Sequence, residues 1–159
     1  MTPAQNILIK ADILANADLN AQPNIADGAF EIARLYSLEA VPTWTVWKSN
    51  VPIGAVGKAF NGTELAGMTT ANQSRLQTIA HFLIDGVNPS LLDNRQFFDD
   101  VFSGASGVNT RTNLLALWKR SANRLEKLLS TGTGTIASPA TLSFEGTISY
   151  QDVQLARNS

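Results

Sequence analysis

Cysteine is absent from this 159-residue chain. That excludes disulfides, thiolate metal ligands and cysteine nucleophiles. Charge is scarce as well. Asp, Glu, Lys and Arg make up 16% of the residues, against about 25% in an average domain. A formal net charge of −1 gives no overall attraction to nucleic acid or to an anionic membrane. Histidine occurs once, at His81. No apolar run reaches the roughly 18 residues that span a bilayer. The opening stretch, MTPAQNILIKADILANA, lacks a basic region followed by a clean apolar block. A secretion signal is therefore not expected, and the chain is expected to be made in the cytoplasm.

Apolar residues make up 44%, enough at this length for a core without staples. Asn, Gln, Ser and Thr take the place of charge on the surface, a composition that fits burial in an assembly. The strongest helical signal is residues 109–129, NTRTNLLALWKRSANRLEKLL. Leu114, Trp118, Leu125 and Leu129 recur at spacings of four, seven and four, which places them on one side of a single helix. Arg120, Arg124 and Lys127 line the other side, and Asn109 or Thr110 caps the start.

Earlier in the chain, Thr2-Pro3 opens a helix with a hydroxyl cap and an early proline. Its apolar side is Ile7, Leu8, Ala11 and Leu14, widened by Ile9 and Ile13. Residues 20–24 read as a connection, and a second helix is expected over 26–38 with Asp27 as its cap. Residues 43–52 alternate β-branched and aromatic side chains, which predicts a short extended segment. A short helix to about residue 60 follows, then a turn at Asn61-Gly62. Thr69 or Thr70 caps a helix over 71–84, whose buried side is Leu76, Ile79, Ala80, Leu83 and Ile84, with Gly86 as the stop. Residues 90–102 are the next helix, and 104–107 a flexible turn. Beyond Leu129, glycine and proline breakers end the helical period. A short strand at 141–144 and a last helix over 150–156, capped by Ser149 with Asp152 three residues on, are expected there. The fold class is thus mainly α: a compact multi-helix body over 1–131 and an extended C-terminal arm over 132–159 holding a short strand and the terminal helix.

The search for chemistry yields no catalytic residue, no cofactor site and no metal site. Asp99 and Asp100 are adjacent, so on a helix they point about 100° apart and do not share a substrate. Asp93, Asp99, Asp100 and His81 have no metal-ligand spacing. No serine lies in a G-x-S-x-G elbow. Gly132-Thr133-Gly134-Thr135 follows a helix and lacks the lysine of a phosphate loop, so it reads as a linker. Trp44 and Trp47 read either as packing or as a stacking platform for bases or sugars. The basic face Arg120, Arg124 and Lys127 has three readings: a solvated helix face, a partner for an acidic patch on another subunit, or a nonspecific contact to DNA phosphates.

Four stretches carry a resemblance: MTPAQ at the start, VWKSNVPI, LWKRSANRLEKLLSTGTGTIASPATLSFEG and SYQDVQLAR at the end. Together they resemble small structural proteins of tailed bacteriophages. Helical proteins of this size in that setting are similar to head–tail connector adaptors. The resemblance implies a non-enzymatic virion protein at the head–tail junction. It would form a ring, a dodecamer in such proteins, between portal protein and tail or nozzle. It implies docking on the portal or a neighbouring copy through Thr133, Leu142, Phe144, Tyr150, Val153 and Leu155. It also implies a tail contact through Trp44 and Trp47, with the basic face toward acidic protein or channel DNA. No membrane partner is implied. A capsid cement or minor tail protein, and a DNA-contacting packaging accessory protein, are the alternatives.

Overall fold

Thr2 caps the first helix. Its side chain accepts a hydrogen bond from the Gln5 N–H at 3.2 Å, and the Gln5 side chain accepts one from the Thr2 N–H at 2.9 Å. This reciprocal pair, with Pro3 in the first turn, fixes the start of α1 (Pro3–Ala15). The computed structural model describes residues 1–81 and 83–159. After α1 come α2 (Ala17–Asn20), α3 (Ala26–Ser37), the strand β1 (Thr45–Trp47), α4 (Ile53–Ala59), α5 (Gly62–Ala66), α6 (Thr70–Ala80) and α7 (Leu92–Val101). Then follow α8 (Val108–Leu117), β2 (Lys119–Ser121), α9 (Arg124–Leu128), β3 (Ser130–Thr131), β4 (Thr141–Leu142) and α10 (Tyr150–Asn158). The chain is mainly α, with only short strands and a C-terminal helix.

The chain divides into two compact units. Unit one is Met1–Val46 with Ser121–Ser159, and unit two is Trp47–Arg120. The chain leaves unit one along β1 and returns along β2.

Unit one is built around α1, α3, α9 and α10. Ile9 and Ile13 of α1, Ile32 and Tyr36 of α3, Leu125 of α9, and Val153 and Ala156 of α10 are all buried in one cluster. Beside it, Val46, Ala122 and Ala140 form a second small cluster, with Trp44 and Leu142 packed on it. Backbone bonds tie the segments together: Ala122 N–H to Trp44 O at 2.8 Å, Ala140 N–H to Thr45 O at 2.9 Å, and Thr45 N–H to Gly134 O at 2.7 Å. The strands β3 and β4 pair antiparallel, Ser130 opposite Leu142 and Thr131 opposite Thr141. The strand and terminal helix expected in residues 132–159 are present. Both are packed into unit one rather than extended from it.

Unit two has its own core of Trp47, Val51, Val56, Val87, Phe98, Val101, Phe102, Leu114 and Trp118. Phe98 is its hub: it meets Trp118 edge-on at 5.5 Å and Phe97 edge-on at 5.3 Å. Glu64 of α5 accepts hydrogen bonds from the backbone of Asn109 and Thr110 at the start of α8.

Several expectations are corrected. The single helix over 109–129 is two helices and a strand. Leu114 and Trp118 are buried in unit two, whereas Leu125 and Leu129 are buried in unit one. Their spacing fits one helix face, but two separate cores claim them. Neither Asn109 nor Thr110 caps α8; both donate to Glu64, and the helix opens one residue earlier at Val108. On α1 the buried residues are Ile9 and Ile13, with Asn6, while Ile7, Leu8 and Leu14 are exposed. Asp27 does not cap α3, whose first flanking residue is Ile25. Ahead of the connection expected over 20–24, residues 17–20 form the short α2, and 105–107 of the expected turn form a short 3-10 helix. Asn61 caps α5 instead of making a plain turn. The helix expected over 71–84 ends at Ala80, and none of its described residues is buried; Phe82, within that expectation, lies outside the described residues. The helix expected from residue 90 begins at Leu92, because Asn88 makes a local turn with Ser90 instead.

Candidate functional site

A cleft of about 700 Å³ lies in unit one. Asp12 and Asn16 come from the end of α1, Asp18 from α2, Glu39 and Trp44 from the segment after α3, and Arg124 and Lys127 from α9. The sequence brings Arg124 here because Asn123 starts α9. The Asn123 side chain accepts from the Glu126 N–H at 2.8 Å, and Glu126 accepts from the Asn123 N–H at 3.0 Å. Arg124 is then in the first turn of the helix, facing α1 and α2.

Arg124 Nη1 donates to Asp18 Oδ2 at 2.5 Å, and its Nη2 lies 4.0 Å from Asp12 Oδ2. Its guanidinium carbon is 5.8 Å from the centre of the Tyr36 ring. The hydrogen bond from Arg124 holds the Asp18 carboxyl below its ordinary range, and the same bond raises Arg124. Burial, then the Asp12 charge and the hydrogen bond to it, push the Tyr36 phenol far above its ordinary value. Tyr36 therefore stays protonated and donates to Asp12 Oδ2 at 3.0 Å. Lys127 donates to Val41 O at 3.2 Å and sits 5.4 Å from the Trp44 ring. The Trp44 indole N–H donates to Ser130 Oγ at 2.9 Å, and the backbone of Gly134 lies against its ring. Three carboxylates face two cations, and both cations have partners inside unit one. Such a cleft orders side chains; it holds no free positive pair for a phosphate.

No family model, no curated protein and no solved structure matches this chain.

The expected site residues do not come together as one surface. Arg120 lies in β2, in unit two, whereas Arg124 and Lys127 lie on α9 in unit one. Trp47 is buried in unit two, with Arg95 4.2 Å and Lys119 5.4 Å from its ring centre. Trp44 is half-buried in unit one. Among the C-terminal residues, Val153 is fully buried and Leu142, Phe144 and Tyr150 are half-buried. Tyr150 stacks on Phe30 at 4.1 Å. Thr133 and Leu155 are exposed, and Thr133 Oγ1 donates to Ser138 O at 2.9 Å. His81, Asp99 and Asp100 are exposed, and among the described residues no group of three acidic or histidine side chains is placed to hold a metal.

A contiguous apolar surface lies on α1. Ile7 is 66% exposed, Leu8 48% and Leu14 62%. Ala4, Ala11 and Ala15 between them are also exposed. At about 100° per residue these six fall within one arc of the helix, opposite the buried Asn6, Ile9 and Ile13. The signal was legible as a helix apolar on both faces. Here unit one covers one side.

Proposed function

We propose that this chain is a structural subunit of a tailed-phage particle, a head–tail connector adaptor that works by assembly and without catalysis. The observation that supports it is the exposed apolar face of α1, the kind of contiguous surface that marks a protein interface. The sequence resemblance supplies the setting. In this reading the protein forms a ring between portal and tail, and docks through Thr133, Phe144, Tyr150 and Leu155 of its C-terminal segment. Leu142 stiffens that segment, and Val153 holds α10 in place from inside. Trp44 is the indole left at the surface for a tail contact. No helix among the described residues is long and apolar enough to cross a membrane.

Quantitative mass spectrometry of purified virions of the parent phage tests the proposal. A copy number equal to that of the portal protein is expected. A copy number near that of the major capsid protein would make the chain a cement protein, and absence from the particle would overturn the virion reading. In a pull-down on isolated portal rings, Leu155→Asp is expected to reduce capture by about tenfold or more.

A further inference from the structure

We infer that the turn after α3 of one copy, residues 38–41, seats on an apolar pocket in unit two of the next copy. The inference rests on the assembly reading above and names one contact of the ring. The pocket measures about 280 Å³ and is lined by Ile53 of α4, Phe60, Leu76 and Ile79 of α6, Leu83 and Phe98. Among the described residues Gln77 is the one polar side chain on its wall. Gly57 of α4 leaves it more open still, since a Cβ there meets nothing within 4 Å. A small-molecule site of roughly 300–1,000 Å³ carries several placed polar groups. This pocket is smaller and carries a single amide, so its match is a pair of apolar side chains from a protein. Its rim is basic: Lys58 follows Gly57 on α4, Arg75 precedes Leu76 on α6, and both are exposed.

Charge decides whose side chains these are. Unit one carries five Lys and Arg against eight Asp and Glu, and unit two carries seven against five. Opposite net charges draw unit one of one copy toward unit two of another and hold like units apart. Within unit one, residues 38–41 combine the two properties the pocket asks for. Val41 is 90% exposed and Leu38 49%, and Glu39 between them is exposed as well. Among the described residues Glu39, Lys58 and Arg75 have no ion-pair partner in their own chain. The turn is also fixed before any partner arrives. The Ala40 N–H donates to Ala122 O at 3.0 Å, the Arg124 N–H to Leu38 O at 2.9 Å, and the Lys127 amine to Val41 O at 3.2 Å. A preorganised turn loses little freedom on docking. The contact joins two different surfaces, so each docked copy still offers one of each. A heterologous contact of this kind closes into a ring when its rotation permits.

Sedimentation equilibrium of the full chain at high concentration and low salt tests the contact. Self-association that weakens as salt rises is expected. Glu39→Lys and Lys58→Glu, both at exposed positions, are each expected to weaken it about tenfold or more, and the double variant to recover part of the loss. Gly57→Leu fills the pocket from its own wall. It is expected to weaken association by a similar factor while the thermal midpoint read by circular dichroism does not fall. The midpoint separates a blocked pocket from a damaged fold; where it falls, the charge pair alone decides. A monomer under all conditions would overturn the contact. If that monomer is still found in virions at portal copy number, the function proposed above stands and only this contact fails. Association unchanged by Glu39→Lys or by Gly57→Leu, or a double charge variant no better than the single ones, would move the contact to another surface and overturn the inference.

Discussion

Glu64 is a carboxylate set where α8 presents its first N–H groups. Its Oε1 accepts from the Asn109 N–H at 2.9 Å and its Oε2 from the Thr110 N–H at 2.8 Å. Burial alone would raise this carboxyl, but the bonds from Thr110 and Asn109 outweigh it and hold it below its ordinary 4.5. A depressed folded-state pKa contributes stability that is present above the unfolded value and is lost as pH falls through the folded one. Thermal melts followed by circular dichroism should show a midpoint that drops as pH falls below about 4.5. In Glu64→Gln the drop should be shallower and the neutral-pH midpoint lower by several degrees. Asp18 and Asp152, depressed by hydrogen bonds from Arg124 and Ser149, keep part of the acid sensitivity in that variant. A slope unchanged by Glu64→Gln would show that the carboxylate does not hold α8. Gly134 makes a second residue-level case. Its φ is +64°, and a Cβ there would fall 2.1 Å from Cδ2 of Trp44. Gly134→Ala should lose about 2 kcal/mol or more in urea unfolding, from backbone strain and overpacking together.

Among the elements, α9 is the most instructive. Asn123 caps it, and the same side chain donates to Gly146 O at 2.9 Å, while Glu126 accepts from the Gly146 N–H at 2.9 Å. The cap thus also clips the loop before α10. Asn123→Ala should cost about 1–2 kcal/mol by denaturant titration, at the upper end of a helix cap because the Gly146 bond goes with it. The cap was legible in the sequence as Asn123 followed by Glu126, and it contradicts a continuous helix over 109–129. Periodicity outweighed it, since Leu114, Trp118, Leu125 and Leu129 all count as apolar wherever they are buried. What a single chain pattern does not carry is which core each residue joins. The same gap explains α1, whose helical span was legible while its buried face was not, because both faces are apolar. Caps and prolines are local, so α1, α4 and α10 were found nearly to their ends. Of the site, the residue types were legible but their grouping was not: Arg120 lies in β2, a strand that depends on a distant partner, whereas Arg124 lies on α9. In α4 the sequence leaves room for improvement. Gly57 lies inside the helix, and a Cβ there meets nothing within 4 Å. Gly57→Ala should therefore stabilise unit two by about 0.5–1 kcal/mol.

At the scale of the whole molecule, unit one is assembled from both halves of the sequence, whereas unit two is one continuous stretch. Ile148, Val153 and Ala156 are buried with Ile9, Ile32 and Tyr36. Arg157 donates to Pro23 O at 3.0 Å and to Gln22 O at 2.9 Å. Residues 132–159 are therefore part of the core that α1 and α3 need, and removing them leaves the apolar sides of those helices without cover. Neither helix is long enough to persist alone in water. Deleting residues 133–159 should abolish amide protection in α1 and α3, as read by hydrogen exchange with mass spectrometry. Protection should survive in α7 and α8, whose core of Phe98, Val101 and Leu114 draws nothing from the deleted segment. Persisting protection in α1 would mean that the C-terminal segment is an accessory to unit one. Uniform loss across both units would mean that unit two does not fold without unit one. The expected split has a consequence for assembly work on this chain. A truncation that removes the C-terminal segment also removes the platform for the exposed face of α1, so contacts made by the two must be separated with point variants at exposed positions, such as Ile7→Asp and Leu155→Asp, expected to leave unit one folded.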